Sequence, residues 1–225
     1  MNCYNCGTEL TDETNHVEHI PAKNLFTTHP DEYKKNLLTV PACYKCNVEL
    51  YSKIDQEIRD AIGILNESDD LKKELTEKSV RSIMRKSNWK DRVFFIDGGK
   101  SIDISFSYND MESLHIKNFK GLFYSKYGRP ISDDYEIKII AEGDEGNEKL
   151  QKVNSHMRDY LNFQTDYSFI GHPKVFKYKM KAMIDGKDGM FYDDENIDDA
   201  ISFACIMDYH EAIHPLVIAQ RKDFI

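Results

Sequence analysis

The chain predicts an α+β fold in two parts, on three observations. Two Cys-x-x-Cys pairs, Cys3/Cys6 and Cys43/Cys46, bracket short β-branched stretches and run into a segment of helical periodicity. Beyond that, helix and strand patterns mix, as when helices pack on an antiparallel or mixed sheet. A cluster of turn formers, Asn66-Glu67-Ser68-Asp69-Asp70, separates the two regions. The expected division is a small cysteine-stapled module over 1–65 and an α+β domain of unassigned role over 66–225.

Each element has its own signal. His16-Val17-Glu18-His19-Ile20 is short, alternating and β-branched, hence a strand, and Pro21 ends its pairing. A charged, turn-rich loop covers Lys23 to Lys35. Leu37-Leu38-Thr39-Val40 predicts a second strand, stopped by Pro41. Leu50, Ile54, Ile58 and Ala61 recur at helical spacing, which predicts a helix from about Asn47 to Ile62. A second helix is expected from Asp70 to Lys86. Val93–Ile96 and Ile102–Phe106 around Asp97-Gly98-Gly99 read as a hairpin. Asp110–Tyr127 reads as a helix closed by Gly128. Tyr135–Ala141, Lys174–Ile184, Met190–Tyr192, Ala200–Asp208 and Leu216–Ala219 read as strands, and Glu148–Phe163 as a helix.

Composition narrows the classes. The formal net charge of −9 argues against a general nucleic-acid coat, so any contact with DNA or RNA needs a local basic surface or a metal-bridged phosphate. No apolar run reaches the roughly 18 residues of a membrane span. The first residues lack the basic and apolar segments of a secretory signal, and the expected location is cytoplasmic. Five cysteines fit that compartment. Four stand in knuckle-like pairs, and Cys205 lies in an apolar run as a core thiol.

Two Cys-x-x-Cys turns supply the four thiolates that Zn²⁺ takes in a tetrahedron, so Cys3, Cys6, Cys43 and Cys46 are expected to hold a structural zinc. Such a closed sphere leaves no open position for catalysis. Between the pairs, Glu18 and His19 sit on a strand whose alternation sends neighbours to opposite faces, unless a kink or bulge at Pro21 brings them to one edge. A carboxylate and an amide oxygen, Glu18 and Asn47, form a hard-oxygen set suited to Mg²⁺ or Mn²⁺. A neighbouring histidine outside the metal sphere can take a proton from water at neutral pH, and the Asn36 amide can orient it.

These residues carry a resemblance. Cys3-Tyr-Asn-Cys6, Glu18-His19-Ile20-Pro21, Asn36-Leu37 and Cys43-Tyr-Lys-Cys46-Asn47 resemble, in order and type, the zinc-containing HNH (ββα-metal) endonucleases over residues 1–60. The resemblance implies a DNA-cutting enzyme, phage-borne or defence-associated, with His19 as general base, Glu18 and Asn47 as ligands of a catalytic divalent cation, and Asn36 supporting His19. It departs at Leu50, where many members carry a phosphate-contacting lysine; Lys45 and Lys53 are the substitutes nearby. The alternative is a zinc-stabilised adaptor that binds nucleic acid or protein without cutting.

Further basic positions are candidate nucleic-acid contacts: Arg81 and Arg85 on the second helix, and Lys177, Lys179 and Lys181 alternating along a strand. For each, a solvated face is the competing reading, as it is for Asp55 and Glu57 after Asn47. The acidic run Asp193-Asp194-Glu195 lacks calcium-loop spacing and reads as a solvated turn. DNA is the expected partner, with RNA left open; a homodimer or a regulatory protein partner would involve the second region.

Overall fold

The computed structural model describes residues 1–65, 70–96, 101–105, 107–140, 148–186, 189–192 and 197–224. It shows a mixed α+β architecture. An antiparallel hairpin, β1 (His16–Ile20) with β2 (Leu38–Ala42), is followed by α1 (Ser52–Leu65) and α2 (Asp70–Met84). A second hairpin, β3 (Val93–Ile96) with β4 (Ser101–Ile104), leads to the long α3 (Tyr108–Tyr127). Then come β5 (Tyr135–Ile140), α4 (Glu148–Gln164), β6 (Ser168–Phe169), β7 (Phe176–Gly186), β8 (Gly189–Tyr192), β9 (Ala200–Tyr209) and β10 (Leu216–Arg221). These strands form an antiparallel sheet in the order β5-β10-β9-β7-β6, with β8 on β7. The Asn66–Asp69 stretch, the Asp97-Gly98-Gly99 turn and the Asp193–Glu195 run lie outside the described residues.

The centre of the sheet is β9, all ten residues of which are buried. Its sequence, Ala-Ile-Ser-Phe-Ala-Cys-Ile-Met-Asp-Tyr, is apolar on both alternating faces, so both must be covered. Phe203 and Cys205 pack with Phe119 and Phe123 of α3, while Ala204 and Ile206 pack with Leu161 of α4. Burial pushes the Cys205 thiol up, which fits a core role.

Local chemistry sets the bounds of α3. The Ser107 hydroxyl caps it by accepting from the Asp110 N–H at 3.3 Å, and Gly128 ends it at φ 73°, where a side chain would be strained. This helix also reaches the hairpin. A Cβ on Gly121 would overlap the Ile20 side chain, so only glycine lets α3 approach β1 this closely. One hydrophobic cluster therefore runs from Cys3, Tyr4 and Ile20 through Phe119 to Val217 and Ala219, and residues 1–65 share their core with the rest of the chain.

Two local expectations are corrected. Pro41 does not stop β2; it pairs opposite Val17, and its carbonyl accepts from the Tyr4 N–H at 2.9 Å, so a missing N–H costs nothing there. The helix does not begin regularly at Asn47 either. Lys45–Tyr51 form a widened turn of π type, and the regular helix starts at Ser52.

His115 is buried in α3 with its Nδ1 3.5 Å from the Tyr209 hydroxyl, and burial holds its pKa down to about 3. A histidine held below its unfolded value of about 6.5 leaves the fold intact above pH 6.5 and weakens it as pH falls from there toward 3. Between pH 7 and pH 5 this group should remove about 2 kcal/mol of stability. In urea titrations His115→Gln should show correspondingly less acid sensitivity than the native chain; equal slopes would contradict the assignment.

Candidate functional site

The four cysteine sulfurs of the two Cys-x-x-Cys turns lie within 4.8 Å of one another. A Zn–S bond of about 2.3 Å puts the corners of a tetrahedron about 3.8 Å apart, and Cys6 and Cys43 Sγ stand 3.8 Å apart. That spacing is far beyond a disulfide, and all four are free thiols. The chemistry and geometry of the donor set fit a zinc ion.

Surrounding groups hold the cluster in place. Asn5 Nδ2 donates to Cys46 Sγ at 3.2 Å, and the Tyr51 hydroxyl fixes Asn5 by donating to its Oδ1 at 3.0 Å. The Lys120 ammonium, from α3, donates to the Asn5 carbonyl at 3.1 Å; burial lowers its pKa, and the neighbouring Cys46, Cys6 and Cys3 offset that. A cation beside four sulfurs would balance part of the charge of a tetrathiolate zinc centre.

Glu18 and His19 lie on a strand that pairs residue for residue with β2, with no bulge. No kink or bulge within β1 brings the two to one edge. Glu18 turns inward and is 5% exposed, whereas His19 is half-buried on the opposite face. Glu18 Oε1 accepts from the His19 N–H at 3.0 Å and lies 3.2 Å from the Lys117 ammonium of α3. Its other oxygen is buried and, among the described residues, has no hydrogen-bond partner. Lys117 Nζ also donates to both Asp55 oxygens, at 2.6 and 2.7 Å. Burial pushes both carboxyls up, with Lys117 opposing the shift at each.

Asp55 is thus a buried ion-pair partner, not part of a solvated helix face. The His19 pKa is lowered by burial, then by Lys23 and Lys117. Asn47 is half-buried at the start of the widened turn, and its Nδ2 donates to the Val17 carbonyl at 3.2 Å, tying the helix entrance to β1. Asn36 is exposed at φ 57°, a left-handed position that asparagine tolerates, just before β2. Among the described residues, no hydrogen bond joins it to His19.

For a catalytic cation, the buried unpartnered oxygen of Glu18 is the relevant feature. Its other oxygen and Asp55 already face the Lys117 ammonium, and Asn47 is tied to the Val17 carbonyl. His16 packs edge-on against Tyr44 at 5.6 Å between ring centres. Leu50 is exposed, as is Lys45; the side chains of Lys53 and Glu57 lie outside the described residues.

The lysines of β7 do not form an open stripe. Lys177 pairs with Asp208 at 3.2 Å, and Lys179 is buried with its ammonium 4.4 Å from the centre of the Tyr167 ring. Lys181 is half-buried on the same strand. Arg81 on α2 and Arg85 just after it are exposed.

Sequence reasoning overlooked Lys117, Asn5 and Lys120, and read Asp55 as part of a solvated face. Leu114, Lys117 and Gly121 fall on one face of α3, and a lysine between two close-packed positions was the available signal. No helix among the described residues is long and apolar enough to cross a membrane. Comparison of the chain with protein-family models, with curated proteins and with solved structures finds no match.

Elemental analysis should find about one zinc per chain, and Cys43→Ser should lose it together with the melting transition of the N-terminal region. Full zinc content in the variant would contradict the four-sulfur site. Lys117→Met should cost about 3–5 kcal/mol in urea unfolding, because it strands two buried carboxylates. Adding Asp55→Asn should recover part of that loss; a change below about 1 kcal/mol in the single variant would contradict a tightly held pair.

Proposed function

We propose that residues 1–65 form an HNH-type (ββα-metal) endonuclease module that hydrolyses phosphodiester bonds in DNA. One observation carries the reading. A hairpin stapled by four sulfurs leads into the widened turn that carries Asn47, and it holds a half-buried His19 next in sequence to Glu18, whose inward-turned carboxylate keeps one oxygen unsatisfied among the described residues.

In this reading His19 removes a proton from the attacking water. Glu18 and Asn47 would hold a Mg²⁺ or Mn²⁺ ion, which when bound supplies charge stabilisation at the scissile phosphate. Lys117 fixes the Glu18 carboxylate from behind, and Asn47 locks the helix entrance to the strand that carries His19. Zinc has a structural role only, since four sulfurs close its sphere.

The Lys117–Glu18 pair favours a second reading. With an ammonium already on that carboxylate, the module would be a zinc-stabilised adaptor that binds nucleic acid or protein without cutting.

Plasmid nicking by the purified chain separates the two. Cutting should require added Mg²⁺ or Mn²⁺ and fall about 10²–10⁴-fold in His19→Ala, the range a general base supplies. Equal cutting by the variant would contradict the endonuclease assignment. Retained DNA binding with no cutting by the native chain would establish the adaptor.

A further inference from the structure

The helices α1 and α2 pack closely, with Gly63 against Leu75 and Ser79, where a Cβ would overlap. Beside this contact lies a groove of about 410 Å³, and five of its lining residues are cationic: Arg59 from α1, Lys78 and Arg81 from α2, and Arg85 and Lys86 from the turn that follows it. On a chain of net charge −9, so many cations in one groove need an explanation.

Its base is rigid. Arg59 pairs with the fully buried Asp60 carboxylate and donates to Ser82 Oγ at 3.1 Å; Ser82 in turn donates to Asp60 at 2.9 Å. Lys86 lies 3.7 Å from the same carboxylate. Among the described residues Arg81 pairs with Glu77, at 3.7 Å, and both side chains are mostly exposed. Among the described residues, Lys78 and Arg85 have no acidic partner within ion-pair distance. Asp60, Glu77 and Glu74 (beside Lys78) offset part of this charge, and the exposed Arg81 and Arg85 side chains remain available to an anion in the groove.

The spacing suits an extended anion. Lys78 and Arg81 lie one turn apart on α2 and Arg85 follows just past its end, a row on the order of 10 Å long. That is roughly three steps of a duplex strand at about 3.4 Å of axial rise each, a run of about four phosphates. Arginine forks add bidentate contacts to phosphate oxygens. Arg59 lies on α1, twelve residues beyond Asn47.

We propose that this α1–α2 groove is a binding site for the phosphodiester backbone of DNA, engaging a short run of phosphates without reading sequence. It deepens the endonuclease reading by holding the substrate strand away from the scissile bond, and it rests on that reading for the identity of the polyanion. The driving force is release of condensed counterions.

Fluorescence anisotropy of a 5′-fluorescein 16-base-pair duplex, with no added divalent cation, tests this apart from any cutting. Arg81→Gln/Arg85→Gln should weaken binding about tenfold or more and reduce the slope of log K against log salt by about two. Lys152→Gln/Lys174→Gln, which removes the same charge from exposed positions elsewhere, should change neither by as much. Circular dichroism and zinc content should match the native chain in both variants.

Unchanged affinity and slope in the arginine variant, or no duplex binding by the native chain, would overturn the proposal. So would tripolyphosphate that displaces the duplex at equal phosphate concentration, since that would assign the groove to free polyphosphate. A plasmid-nicking assay in Mn²⁺ keeps the two readings distinguishable. Arginine-dependent binding without cutting would leave the groove standing and remove the endonuclease. Cutting with unaltered binding in the variant would remove the groove alone.

Discussion

Convergence of four sulfurs from residues 3–6 and 43–46 is the constraint on which the N-terminal architecture depends. It closes a loop of roughly forty residues, a cost in chain entropy that cooperative metal ligation can offset. Everything inside the loop inherits its position. The hairpin is held at both ends, Tyr4 hydrogen-bonds Pro41 at the outer edge of β2, and the widened turn after Cys46 sets the direction in which α1 leaves. Asn5, Tyr51 and Lys120 then link the cluster to α3, so the sulfur site is not a detached appendage.

A second tie runs deeper. The buried ammonium of Lys117 joins Asp55 of α1 and Glu18 of β1 to the long helix of the following region. Buried ion pairs contribute little net stability against apolar packing, but removing one partner is costly. Such a pair therefore fixes geometry more than it adds strength. The consequence for chemistry is specific: the charge on Glu18 is set by a residue nearly one hundred positions away, and any cation that approached this carboxylate would do so beside a fixed ammonium.

What the sequence made legible follows the range of the interaction. Cysteine spacing is a local signal, and the four thiols meet as expected. The span of β1, the helix closed by Gly128 and the buried β9 strand were all readable from periodicity and caps. The widened turn at Lys45–Tyr51 was not, because no side-chain pattern distinguishes it from a regular helix start. Asp55 read as solvent-facing because its partner, Lys117, lies 62 residues further on. Lys179 alternates like an exposed residue, yet the Tyr167 ring lies over it. Placement of Glu18 and His19 on opposite faces follows from simple strand alternation, which Pro21 does not disturb.

Zinc K-edge X-ray absorption on the purified chain tests the central claim most directly, because it reports the ligand shell without reference to activity. Four sulfur scatterers at about 2.3 Å are predicted. A shell containing nitrogen or oxygen ligands, or a chain that folds with no metal at all, would contradict the sulfur-stapled module on which the site and its proposed chemistry rest.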